Sequence, residues 1–248
     1  VGEFVFGGHP AQRFYECPSC DVAFLYPPPT EQEEAAFYAQ EFEKFMETRA
    51  GEAGGWAGPE AHIEANQDHV TRRMPFLENE LSASGVRVLE IGCSSGFMLL
   101  PLKERGLDVM GVEPSGGFTN FVRSKGIPVF DSLDQFQSTS SEAGNLDLII
   151  HFFLFEHVRD PLSFLHKALS LLKPGGTMFF EVPSRSDPLV QIYDIPAFQK
   201  FYWSVAHHWY FNRPSLEFVL DQLGFEYKLI PEQRYDLSNH FWWALEGR

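Results

Sequence analysis

The chain has 248 residues, 44% of them hydrophobic, enough for one large domain or one domain with a small appendage. Nineteen Lys and Arg against 34 Asp and Glu leave a formal charge of −15, which argues against DNA, RNA or an anionic membrane as the main partner, since phosphate binding needs clustered cations. Three cysteines are too few for a disulfide framework, and no apolar run approaches the ~20 residues of a membrane span, so the expectation is a cytoplasmic protein without a secretory leader.

Residues 1–29 alternate short apolar stretches with a Cys17-Pro18-Ser19-Cys20 turn and end in three prolines. They read as small strands around a knuckle. Residues 30–84 read as a helical cap: Thr30 and Glu33 suit a capping box, Phe37, Tyr38, Phe42 and Phe45 follow a helical period, and His62–Leu81 resumes it after a Gly-rich break.

From residue 85 strand and helix signals alternate. Strands are expected over Val86–Ile91, Asp108–Glu113, Ile127–Phe130, Leu146–Phe152 and Thr177–Val182. Helices are expected over Gly96–Arg105, Phe118–Lys125 and Pro161–Leu172, the last stopping at Lys173-Pro174-Gly175-Gly176. Leu146–Phe152 is almost wholly apolar, as a central parallel strand should be. The alternation predicts an α/β fold: a Rossmann-like, doubly wound, mostly parallel sheet occupying residues 85–248. An aromatic-rich insertion over 184–213 interrupts it. A helix over Pro214–Leu223, closed by Gly224, and two more strands over Phe225–Ile230 and Phe241–Leu245 are expected to follow.

Ligands of open α/β sheets bind at the carboxyl ends of the strands, at the switch point. The first strand of this sheet ends in Glu90-Ile91-Gly92-Cys93-Ser94-Ser95-Gly96. Gly92 and Gly96 permit a tight turn and close backbone approach. A pyrophosphate loop would read GxGxxG, but position 94 is Ser, and the Glu90 carboxylate would repel phosphates. A carboxylate there suits a cationic ligand such as a sulfonium with an ammonium. The second strand ends at Glu113, about 20 residues beyond the first glycine, where an acid accepts hydrogen bonds from both ribose hydroxyls. Asp131, Ser132 and Leu133 follow the third strand, where an adenine edge would lie.

The stretches VLEIGCSSGFMLLPLKERGLDVMGVEPS, LDLIIHFFLFEHVRDP and LKPGGTMFFEVPS, in this order and spacing, resemble class I S-adenosylmethionine-dependent methyltransferases, in particular their small-molecule branch. The similarity runs from about Arg72 to Ile230. It implies that Glu90, Gly92, Cys93 and Gly96 hold the methionine part and Glu113 the ribose, with Ser94, Phe97, Pro114 and Ser115 also at the cofactor. It also implies that Ser132 and Leu133 meet the adenine and that His151, Phe152 and Phe153 close over the cofactor.

Methyl transfer needs a base only where the acceptor must lose a proton. The resemblance places Glu156 and His157 beside the reacting methyl, where they either take that proton or only brace the loop. His208, in His207-His208-Trp209-Tyr210-Phe211, is a second candidate base, with a packed aromatic lid as the other reading. His207 reads as a bystander, and metal binding by the adjacent pair is disfavoured because neighbours on a strand point to opposite faces. Cys17 and Cys20 resemble the second half of a zinc-binding segment that precedes some sugar C-methyltransferases. Zinc wants four ligands and only these two are visible, with His9 a distant third. That likeness also points Tyr38 at the active site, unless it is helix core, and favours a sugar or natural-product acceptor methylated at carbon or oxygen. Two other functions stay open: a nucleotide-cofactor oxidoreductase and a non-catalytic methyltransferase-like scaffold.

Overall fold

A computed structural model describes residues 2–7, 9, 11–37, 58–114, 116–193 and 195–247. The strands, in chain order, are β1 (Glu3–Phe6), β2 (Arg13–Glu16), β3 (Ala23–Tyr26), β4 (Arg87–Ile91), β5 (Asp108–Val112), β6 (Val129–Phe130), β7 (Leu146–Phe152), β8 (Leu172–Glu181) and β9 (Trp209–Tyr210). They fall into two compact units. One comprises residues 1–28, 155–163 and 182–248, the other residues 29–154 and 164–181.

The second unit is built on a parallel sheet in the order β6-β5-β4-β7-β8. The chain moves outward from β4 to β6, then returns to β7 on the other side, so the switch point lies between β4 and β7. Alternation along the strands splits the core. Val88, Leu148 and Ile150 pack on one face, with Val70, Met74 and Leu77 from the helix Gln67–Leu77. Leu89, Ile91 and Ile149 pack on the other, with Ala168 of the helix Pro161–Leu169. The stripe Val70, Arg73, Met74, Leu77 follows the i, i+3, i+4, i+7 period of a helix with one buried face, and Arg73 is its one charged member.

The Lys173–Gly176 turn does not separate helix from strand as expected. β8 already pairs at Leu172, opposite Leu146, and resumes at Thr177, opposite Leu148. Residues 173–176 therefore form an outward bulge within one strand.

In the first unit β1, β2 and β3 form an antiparallel meander that β9 joins, Ala23 opposite Tyr210 and Phe24 opposite Trp209. Its core mixes Phe14, Leu25, Leu189, Phe198, Trp203 and Tyr210. The strands expected over Phe225–Ile230 and Phe241–Leu245 do not form: residues 225–236 are irregular and Leu237–Glu246 is a helix. Local capping explains the second. The Asp236 carboxylate accepts the Ser238 and Asn239 amides, Gly247 closes the far end with φ 70°, and Trp243 packs on Phe198 and Phe201.

Candidate active site

The turn after β4 is shaped by backbone dihedrals that the sequence supplies. Gly92 and Gly96 have φ of 75° and 74°, and Ser94 shares the left-handed region at 41°. The amides of Gly92 and Cys93 both donate to the Val112 carbonyl, at 2.8 and 3.2 Å, so the turn is tied to the end of β5. The Ser94 amide donates to the Glu113 carboxylate at 2.7 Å. A side chain at Gly96 would press on Val122, its Cβ 3.0 Å from a methyl. His62 hydrogen-bonds Ser95 Oγ through Nδ1 at 2.8 Å, and its ring leans on Phe97 and Phe118. Burial pushes the His62 imidazole down to about 4, so it is neutral at physiological pH. Sequence reasoning missed this residue; only its place in a helical stretch was legible.

Cys93 is fully buried, and burial followed by the nearby Glu90 and Glu113 charges raises its thiol well above the usual range. It is a packing residue, not a nucleophile. The fit is close, because a Cβ at Gly111 would stand 2.5 Å from its sulfur.

Glu90 is 2% exposed on the face of β4 that carries Val88. Burial pushes its carboxyl well above the usual carboxylate range; the Arg73 charge pulls it back, and Glu113 raises it further. Arg73 is equally buried, which lowers its guanidinium from its ordinary value against the opposing pull of Glu181. Glu181, at the end of β8, receives Arg73 Nε at 2.9 Å and Arg72 Nη2 at 2.8 Å on each oxygen. That clamp sets the guanidinium over the Phe152 ring, 3.9 Å from its centroid. Among the described residues, Glu90 Oε2 and Arg73 Nη1 have no hydrogen-bond partner. A buried carboxyl and a buried guanidinium thus each keep one unused polar atom. Arg73 went unnoticed in the sequence; its signal was a cation inside an apolar helical stripe.

The other expected cofactor residues divide. Glu113 is buried, and its backbone carbonyl accepts the Thr119 hydroxyl at 2.8 Å. Pro114 follows it; Ser115 lies outside the described residues. Ser132 caps the helix Leu133–Thr139 by accepting the Gln135 amide, and Leu133 packs beside Met110 and Val112. Phe153 has φ 51° and donates its amide to the Glu181 carbonyl at 2.8 Å. The structure corrects His151. Strand alternation turns it to the face opposite Glu90 and Phe152, where it is fully buried, stacks on Phe180 and meets Phe164 edge-on. Burial lowers its imidazole to about 3.

The first unit assembles a separate set. Phe155–His157 forms one 3-10 turn. The His208 amide donates to the Glu156 carbonyl at 2.8 Å, and the His208 carbonyl accepts the Leu25 amide at 3.0 Å. That bridge draws residues 204–208 against the turn. His157 Nδ1 meets the Ala206 carbonyl at 2.8 Å, and Trp209 Nε1 donates to the Val158 carbonyl at 2.8 Å. His207, expected as a bystander, lands on His157, with ring centroids 4.6 Å apart and planes nearly perpendicular. Ligand atoms of Glu156, His157 and His207 lie within 4.8 Å of one another. Glu156 is 1% exposed and His208 is also buried. Tyr38 lies outside the described residues.

Cys17 and Cys20 are free thiols in the turn between β2 and β3, where the Cys17 amide donates to the Val22 carbonyl. Backbone amides hold the Cys17 thiol below its ordinary value, whereas burial raises Cys20. Among the described residues no third or fourth metal ligand joins them.

The switched parallel sheet, with a glycine turn and an acid at the ends of its first two strands, has the Rossmann-like architecture of class I S-adenosylmethionine-dependent methyltransferases. The chain belongs to the methyltransferase domain family whose profile matches residues 59–229. The ubiquinone biosynthesis O-methyltransferase of Methylococcus capsulatus is 28% identical over 151 residues, covering 59% of this chain and 62% of that protein. Its Marinobacter nauticus counterpart is 28% identical over 141 residues, covering 54% and 59%. The chain thus spans about three fifths of the length of these relatives. A SAM-dependent methyltransferase structure from Archaeoglobus fulgidus aligns at TM-score 0.53 and 23% identity over 75% of both chains. A chain from the complex between the Haloferax volcanii Trm112 methyltransferase activator and the putative methyltransferase aligns at TM-score 0.51 and 18% identity over 84% of both. No helix among the described residues is long and apolar enough to cross a membrane.

Proposed function

We propose that this chain transfers a methyl group from S-adenosylmethionine to a hydroxyl oxygen of a small molecule. The observation that carries this is the buried pair Glu90 and Arg73, a carboxyl and a guanidinium, each with one polar atom unused. A methionine moiety brings an ammonium and a carboxylate, the complements of those two groups. Glu113 serves the ribose hydroxyls while its second task, accepting the Ser94 amide, holds the glycine turn. The backbone of Gly92–Gly96, with Phe97 and Pro114, lines the rest, and Ser132 and Leu133 flank the adenine. Phe152 and Phe153 shield the site from water. The oxygen acceptor is supported by the O-methyltransferase names of the curated relatives.

The cofactor supplies an activated methyl, so the protein's work is positioning and making the acceptor oxygen nucleophilic. Glu156, His157 and His207 are the groups for the second task. His157 Nδ1 donates to the Ala206 carbonyl, which fixes the orientation of the ring for that task. His208 positions the turn through its backbone. The protein works in the cytoplasm without nucleic-acid partners. The test is calorimetric titration with S-adenosylhomocysteine. The wild type should bind, and Glu113→Ala should weaken binding about a hundredfold, the loss of two hydrogen bonds to a charged group. Absence of binding to the wild type, or unchanged affinity in the variant, overturns the reading.

A further inference from the structure

The first unit holds one cluster whose chemistry exceeds a general base. Two imidazoles and a carboxylate meet with their ligand atoms within 4.8 Å of one another. We propose that Glu156, His157 and His207 bind a divalent first-row transition cation, with the remaining coordination positions open to the acceptor's hydroxyl oxygen.

Three observations support the site. The donor set, two imidazole nitrogens and one carboxylate, is the combination that favours Zn2+, Co2+, Mn2+ or Fe2+ over Mg2+ and Ca2+, which prefer all-oxygen shells. The orientation of His157 is already fixed by a backbone partner, Nδ1 on the Ala206 carbonyl at 2.8 Å, so Nε2 is the nitrogen a cation would take. A second hydrogen bond on the far nitrogen is the usual way a protein sets a metal-binding histidine. The elements that carry the ligands are pinned together independently of any ion, through His208 N to Glu156 O at 2.8 Å and Trp209 Nε1 to Val158 O at 2.8 Å. Donors at about 2.0–2.2 Å from one tetrahedral cation lie about 3.3–3.6 Å apart, so the widest pair closes by about 1.2–1.5 Å through side-chain rotation as the ion binds.

Three protein ligands leave room for substrate, the arrangement of a catalytic and not a structural site. This role rests on the methyltransferase reading. An acceptor hydroxyl held at the open position has its pKa lowered and releases its proton to solvent. The oxygen lone pair then forms the C–O bond, and the electron pair of the breaking S–C bond stays on sulfur. No oxidation state changes. His157 then acts as a ligand, and no side-chain base is required.

The test uses the whole chain stripped with chelator and titrated with Co2+, followed by visible absorption, then with Zn2+ in competition. One equivalent should bind and give d–d bands that Zn2+ removes. His207→Gln and Glu156→Gln should each weaken Co2+ at least tenfold, while Cys17→Ser/Cys20→Ser leaves it unchanged. No Co2+ spectrum in the wild type, or a spectrum lost in the cysteine variant and kept in His207→Gln, overturns the proposal. S-adenosylhomocysteine titration of the same variants separates the two readings. Retained cofactor binding shows that the variants fold, so their Co2+ loss supports the site. Cofactor binding without any cation binding in the wild type sinks the metal site and leaves the transferase standing.

Discussion

Strand β4 and the turn at Phe155–His157 both hold a buried glutamate, but by different means. Glu90 sits on a strand locked at both sides by parallel neighbours, with Gly111 and Ile150 in register. Its partner Arg73 arrives on a helix and is itself fixed by Glu181, so charge in this unit is set by rigid elements. Glu156 sits on a single 3-10 turn, held by the His208 amide from a loop about fifty residues later in the chain. The first arrangement rests on regular elements, the second on loop against loop, and loops vary more readily than the elements they connect.

The largest effect expected from that comparison is at Arg73. Arg73→Met keeps much of the packing on Phe152 but removes the cation, so S-adenosylmethionine affinity should fall about 10- to 100-fold, measured by calorimetry. Equal affinity would mean that the guanidinium only braces Glu181. Cation binding by Glu156, His157 and His207 should be untouched by this change, which sharpens the distinction between the two turns.

A smaller effect is a pH dependence of cofactor binding. Burial holds Glu90 protonated to well above the usual carboxylate range, whereas an ammonium ligand favours its ionised form. Binding should release a proton from Glu90. S-adenosylmethionine affinity should therefore rise with pH, by up to tenfold per unit, until Glu90 is ionised in the free protein. Calorimetry in buffers of different ionisation enthalpy reads the proton directly; zero release would place Glu90 ionised beforehand.

The smallest effect concerns stability. The folded-state pKa of His62 is depressed to about 4, below its unfolded value of 6.5, and that of His151 to about 3. Both contribute stability that is present above pH 6.5 and lost as pH falls toward 4. The midpoint of thermal unfolding should drop over that window. His62→Gln should flatten the drop while keeping a hydrogen-bonding group for Ser95. An unchanged slope would show that the imidazole titrates normally.

Much of the sheet unit was legible in the chain. Leu146–Phe152 forms as read, the glycines at 92 and 96 take the left-handed conformation the turn demands, and the acid after β5 reaches the turn. These follow from local rules: a continuous apolar run, a residue without Cβ and a fixed strand–helix alternation. The C-terminal strands were misread because Phe241-Trp242-Trp243 is equally apolar in a helix and in a strand. The cap at Asp236 and the packing of Trp243 on Phe198 decide between them. His151 was misassigned because the count along β7 gives only which residues share a face, not which face carries Glu90 and Arg73.

The sequence by itself determined the family, the parallel sheet and the glycine turn after β4, because each is encoded in contiguous residues with a fixed period or dihedral need. Only the tertiary structure decided that the Arg73 charge acts on the buried Glu90 and that His207 joins Glu156 and His157. Those groupings bring together residues 17 and 51 positions apart in the chain. No local pattern carries such a distance, so it is set by how helix Gln67–Leu77 packs on the sheet and how the loop 204–208 docks on one short turn.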